Sequence, residues 1–139
     1  MEKFTINMSP EKVFEACKDI NNFLKKGEKE KITVSKDGKT AKASIPIVLG
    51  ISKNVNIKLT NFDDDKIIRI SCQELGIVLA GKVSETIQGG NRMSEVKLVI
   101  EKCRPDIPIL GNKIVEMAPK LLAEFSNELA KRLKEMKDK

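Results

Sequence analysis

With 139 residues, 40% of them hydrophobic and 33% charged, the chain suits one soluble globular domain with a sizeable core. It holds no unbroken apolar run of the roughly 18 residues that a membrane span needs, and its start, MEKFTINMS, lacks the layout of a signal peptide, so no integral membrane segment and a cytoplasmic location are expected. The formal net charge is +6, but Lys alternates with Glu and Asp, the arginines (Arg69, Arg92, Arg104, Arg132) are scattered and aromatics are only 4%, which reads as a mixed solvated surface and not as a nucleic-acid footprint.

Phe4, Ile6 and Met8 alternate with Lys3, Thr5 and Asn7, a period of two that predicts a strand. Ser9-Pro10 then supplies an N-cap and a first-turn proline. Val13, Phe14, Cys17, Ile20, Phe23 and Leu24 recur at helical spacing up to a stop at Gly27. Residues 31–35 and 39–45 read as strands joined through Asp37-Gly38, a hairpin signal. The apolar segment IPIVLGI (Ile45 to Ile51) is either a bulged strand or a loop that covers something apolar. Strand patterns follow over 53–62, 66–74, 77–87 and 93–102, separated by turns at Asp63-Asp64-Asp65 and Gly89-Gly90-Asn91. Short turns between successive strands predict an antiparallel sheet.

After a Pro-containing connector at 104–108, Ile114, Met117, Ala118, Leu121, Leu122, Phe125, Leu129 and Leu133 form one helical stripe, while Lys120, Glu124, Glu128, Lys131 and Lys134 lie mainly off it. Pro119 lacks a backbone donor and predicts a kink or break near Val115. A stripe this long must be buried, and the apolar face of the sheet is the one large partner. A twisted, bulged sheet that curls over a single long helix leaves a space between them. Such concave apolar spaces commonly hold ligands.

The order strand, SPEKVFEACKDINNFLKK (Ser9 to Lys26), a meander of strands, and ILGNKIVEMAPKLLAEFSNELAKRLKEM (Ile109 to Met136) resembles the helix-grip superfamily, which includes START domains, birch pollen allergens and polyketide cyclases (the SRPBCC group). Within it the chain is most similar to the carbon monoxide dehydrogenase G family, on the Pro-x-x-Val-Phe start at Pro10, Val13 and Phe14, the Leu110-Gly111 lead-in and the Phe-x-x-x-Leu core at Phe125 and Leu129. The likeness covers the whole chain in order of elements, and none of its motifs is a catalytic signature. Pro119 departs from the pattern, and Glu28 to Lys31 is too short and too charged for a full second helix, so the pocket mouth differs from the family's. The resemblance implies an α+β helix-grip fold, six to seven antiparallel strands curved around the C-terminal helix, with a hydrophobic small molecule such as a fatty acid or other lipid held between them.

The residues expected to line that space are Phe14, Val55, Ile57, Ile68, Ile70, Val96, Leu98, Met117, Leu121 and Phe125, with Arg69 and Arg92 as rim cations for a ligand carboxylate. Catalytic groups are scarce: there is no His to shuttle protons, no Tyr, and no base beside any Ser. Cys17, Cys72 and Cys103 are odd in number, far apart and without His partners, which favours apolar fillers over a zinc set. Asp63-Asp64-Asp65 lacks the spread of an EF-hand loop, and Gly89-Gly90 is no phosphate loop. No metal and no cofactor are therefore expected. Abundant Lys, Glu and Ile would suit a thermophile's surface of ion pairs. The preferred reading is a non-catalytic carrier or sensor of an apolar ligand. The alternatives are an interaction or assembly protein that forms a homo-oligomer through segment 45–51, and an enzyme of cyclase or hydrolase type.

Overall fold

The computed structural model describes residues 1–25, 32–108 and 110–137. Strand β1 (Glu2–Ile6) leads into helix α1 (Pro10–Cys17), and six strands follow: β2 (Thr33–Val34), β3 (Thr40–Val48), β4 (Ile51–Phe62), β5 (Ile67–Cys72), β6 (Ile77–Gln88) and β7 (Asn91–Cys103). Helix α2 (Gly111–Lys137) closes the chain. The seven strands form one antiparallel sheet in the order β1-β7-β6-β5-β4-β3-β2. From β2 onward each strand pairs with the next in sequence, and β1 pairs with β7, which brings the two ends of the chain's β region together.

Ser9 caps α1 by accepting from the backbone N–H of Lys12, as its sequence predicts. The helix nevertheless stops at Cys17 and does not continue to Leu24. Asp19 accepts from the backbone N–H of Asn21 and from its Nδ2, which starts a 3₁₀ turn over Ile20–Asn22. The short Asp side chain thus offers the backbone a local alternative to further helix. The turn still buries Ile20, Phe23 and Leu24, so the helical spacing marks core residues while the backbone takes another path. The stop expected at Gly27 falls outside the described residues.

Alternation places Val55, Ile57 and Leu59 of β4, Ile68, Ile70 and Cys72 of β5, Ile77, Leu79 and Val83 of β6, and Val96 and Leu98 of β7 on the concave face, all buried. Against this face α2 lays Ile114, Ala118, Leu122, Phe125, Leu129 and Leu133. At 1.5 Å per residue its 27 residues span about 40 Å. Of the kink or break expected near Val115, the break does not occur: α2 runs on through Pro119. Pro119 and Val115 both face solvent, so the Val115 carbonyl, which has lost its helical partner, can turn to water without cost to the buried stripe.

Glu128 corrects a third expectation. It is buried at the edge of the stripe, where Arg132 Nε donates to it at 3.0 Å one turn on. Segment 45–51 resolves as a bulged hairpin. The β3–β4 register slips between Pro46 and Val48, and the turn closes at Leu49-Gly50, where Gly50 adopts a φ of 82°.

Candidate functional site

Between the N-terminal half of α2 and the sheet lies a crevice lined by Ile45, Ile57, Ile70, Cys72, Ile77, Leu79, Leu121 and Phe125. All eight are apolar or thiol side chains contributed by β3, β4, β5, β6 and α2. The Phe125 ring is held by a tilted contact with Phe23, 6.2 Å between centroids, which fixes the inner wall. Ile45 and Leu121 are only partly buried and form the rim.

The volume inside is about 10 Å³. That is room for about one water, far below the roughly 300 Å³ of an ordinary ligand pocket. The open space expected between helix and sheet is therefore closed by side chains. Unlike a barrel with small residues lining its centre, this sheet offers Ile, Leu and Cys at the positions facing the crevice.

The ten expected liners divide accordingly. Ile57, Ile70, Leu121 and Phe125 border the crevice. Val55, Ile68, Val96 and Leu98 are packed into the continuous core, Phe14 joins it from α1, and Met117 lies partly buried on α2. Ile45, Cys72, Ile77 and Leu79 are wall residues beyond those expected from the sequence. Their period-two phase marks Cys72, Ile77 and Leu79 as inward, but which inward positions sit under Leu121 depends on where α2 crosses, which no local pattern encodes.

Neither rim arginine faces the crevice. Arg69 lies on the convex face, where Nε donates to Glu101 at 2.8 Å and the guanidinium stacks 5.0 Å from the Phe62 ring. Arg92 sits at the β6–β7 turn, at the opposite end of the sheet, and bridges Glu11 (2.9 Å) and Glu85 (3.0 Å). Hydrogen bonds to Glu11 and Glu85 raise its pKa further, while a backbone hydrogen bond and Arg92 hold Glu11 below the usual carboxylate range.

The cation beside the crevice is instead Lys53. It pairs directly with Ile45 across the β3–β4 ladder, and it precedes Val55 and Ile57 in the concave row of β4. Extending the row Leu59, Ile57, Val55 back by two positions reaches it, so the signal is present in the sequence.

The one titratable wall group is the Cys72 thiol, pushed up to about 11 mainly by burial. Among the described residues no cluster of three His, Cys, Asp or Glu could hold a metal, and Asp63 is engaged by Asn61 and Lys18. No helix among the described residues is long and apolar enough to cross a membrane. A second, wider groove of about 500 Å³ between Asn7–Ser9, α1 and the end of α2 is lined by Met8, Lys12, Glu15, Met136 and Lys137. It mixes the apolar side chains of Met8 and Met136 with polar and charged ones, is open to solvent, and lies outside the space between helix and sheet.

A seven-stranded antiparallel sheet curved against one long C-terminal helix is the helix-grip fold, and solved structures bear this out. A START superfamily protein from Mycobacterium smegmatis superposes with a TM-score of 0.53 at 15% identity, covering 97% of this chain and 96% of its own. The Zhui aromatase/cyclase from Streptomyces sp. R1128 gives 0.54 at 8% identity over 96% and 91%. Norcoclaurine synthase from Thalictrum flavum gives 0.53 at 15% identity over 98% and 93%. No protein-family model and no curated protein sequence matches the chain. The protein thus has the helix-grip fold that these structures share. The narrower likeness to the carbon monoxide dehydrogenase G family rests on the sequence motifs alone.

Proposed function

We propose that the protein binds an apolar small molecule, a fatty acid or similar lipid, between α2 and the β3–β4 hairpin, and acts as a carrier or sensor without catalysing a reaction. The observation that carries this reading is the crevice itself: its wall is wholly apolar, and its rim residues Ile45 and Leu121 reach the surface. The structures that share the fold include two named as a cyclase and a synthase as well as a START protein, so the scaffold admits either catalysis or binding. The wall favours binding. Its Cys72 thiol, held near 11, is almost wholly protonated at neutral pH and a poor nucleophile.

Because the enclosed space is about 10 Å³, entry requires the hairpin to swing from α2. The hairpin is built for this. Its concave row on β3 offers only Ala41 and Ala43 before Ile45, the bulge at Pro46–Val48 weakens the ladder, and the two-residue strand β2 is its one outer neighbour among the described residues. Titration of palmitate by calorimetry tests the reading. Binding should be seen with the native chain and lost in Leu121→Trp, which fills the rim, while Leu49→Ser at the turn leaves it intact. Unaltered binding by Leu121→Trp would contradict this site.

A second reading has one observation in its favour. Leu49 is fully exposed at the hairpin tip and Ile51 nearly half so. Two copies could bury these tips against each other. Size-exclusion chromatography of native protein and Leu49→Asp decides it: a larger species lost on substitution supports assembly, and a monomer in both removes it.

A further inference from the structure

The concave face of the hairpin carries one charged side chain next to the apolar crevice. In the β3–β4 register Ile45 faces Lys53, Ala43 faces Val55 and Ala41 faces Ile57. Side chains directly opposite on an antiparallel pair share a face with Cβ atoms roughly 5 Å apart. Lys53 therefore stands on the same side as Ile45 and Ile57, both crevice residues, one position outward from buried Val55. Its half-buried state, between exposed Ser52 and Asn54, agrees with this placement.

Three features suit Lys53 to meet a ligand at the crevice rim. First, a solvent-facing position was available one residue either way, yet the cation occupies the inward phase of the strand. Second, Lys53, like most of the lysines and unlike Lys3, Lys18 and Lys113, makes no ion pair within 4 Å among the described residues, so its ammonium is open to a ligand. Third, the acid whose titration it influences, Glu74, is already committed. Glu74 accepts from Asn56 N and Nδ2 (3.2 and 2.8 Å). Although burial raises its pKa, a hydrogen bond from its own backbone, those from Asn56 and, last, the Lys53 charge bring it below the usual range. The long apolar stem of Lys53 can lie along Ile45 while the ammonium stays at the water boundary.

We infer that Lys53 is the head-group site: the ligand is an amphiphile with an anionic head, held by the Lys53 ammonium at the rim with its chain directed under Leu121 and Phe125. The inference rests on the crevice being the ligand site, and the experiment separates the two. Palmitate and 1-hexadecanol share a chain length and differ in charge. Their dissociation constants are measured by fluorescent-probe displacement at pH 8 for the native chain, Lys53→Met and Lys53→Arg. The native chain should favour palmitate about tenfold, in line with a partly solvated charge-assisted hydrogen bond. Lys53→Met should abolish that preference while binding the alcohol unchanged, and Lys53→Arg should retain it. An equal preference in Lys53→Met, or none in the native chain while both compounds bind, overturns the assignment of Lys53 and leaves the crevice standing. Failure of both compounds to bind the native chain removes the crevice reading and this inference with it.

Discussion

Cys17 is buried between α1 and the sheet, and desolvation pushes its thiol up to about 12. A folded-state pKa above the unfolded one means that the neutral thiol stabilises the fold below about pH 9 and that this contribution is lost as pH rises toward 12. Each pH unit in that window should cost about 1.4 kcal/mol for this group. Denaturant titrations at pH 8 to 11 should therefore show a shallower alkaline decline for Cys17→Ala than for the native chain; identical slopes would contradict the assignment. Arg132 and Glu128 form the other residue-scale test. Arg132→Ala strands a buried carboxylate and should lose about 1–3 kcal/mol, whereas replacing both by Met should recover most of it. Gly76 has a φ of 65°, and a Cβ there would stand 2.3 Å from the Arg104 carbonyl oxygen. Gly76→Ala should therefore cost more than the roughly 1 kcal/mol of an ordinary glycine replacement.

At the scale of elements, the β3–β4 hairpin and α2 divide the labour. The lower half of α2 is fixed by Leu129 and Leu133, both fully buried against the sheet, and Leu129→Ala should cost about 2–5 kcal/mol in chemical denaturation. The upper half meets a hairpin whose inward side chains are small. Amide exchange should show residues 43–53 opening at lower free energy than β6 and β7, and equal protection would argue against a moving hairpin. These elements also show what is legible in the sequence. Period-two alternation marks every long strand and its inward face, and the Asp37-Gly38 and Gly89-Gly90 turns mark the hairpins. Three features escape it. Asp19 starts a competing turn that ends α1 early. Pro119 is tolerated because it faces water. Glu128 is drawn inward by a partner four residues on. Each depends on which side of an element meets solvent, which a local pattern leaves open.

Over the whole molecule the same division holds between fold and site. The order of elements and the single buried stripe of α2 specify the helix-grip architecture, so the fold is readable. The filling of its interior is not, because the closeness of helix to sheet is set by the summed bulk of Ile, Leu and Phe from five elements. Charge is likewise a property of the whole surface. Glu11, Asp37, Asp63 and Glu74 all sit below their ordinary values through hydrogen bonds and neighbouring cations. Their contribution is present above about pH 4.5 and lost as pH falls through their folded values, so the melting temperature should hold from about pH 5 to 8 and fall below about pH 4; a melting temperature that held to about pH 3 would contradict it. The central claim, that the closed crevice opens to admit an apolar chain, is tested most directly by thermal unfolding with palmitate. At a hundred times its dissociation constant the ligand should add about 2.7 kcal/mol and raise the melting temperature by several degrees. A melting temperature unchanged at every palmitate concentration would contradict it.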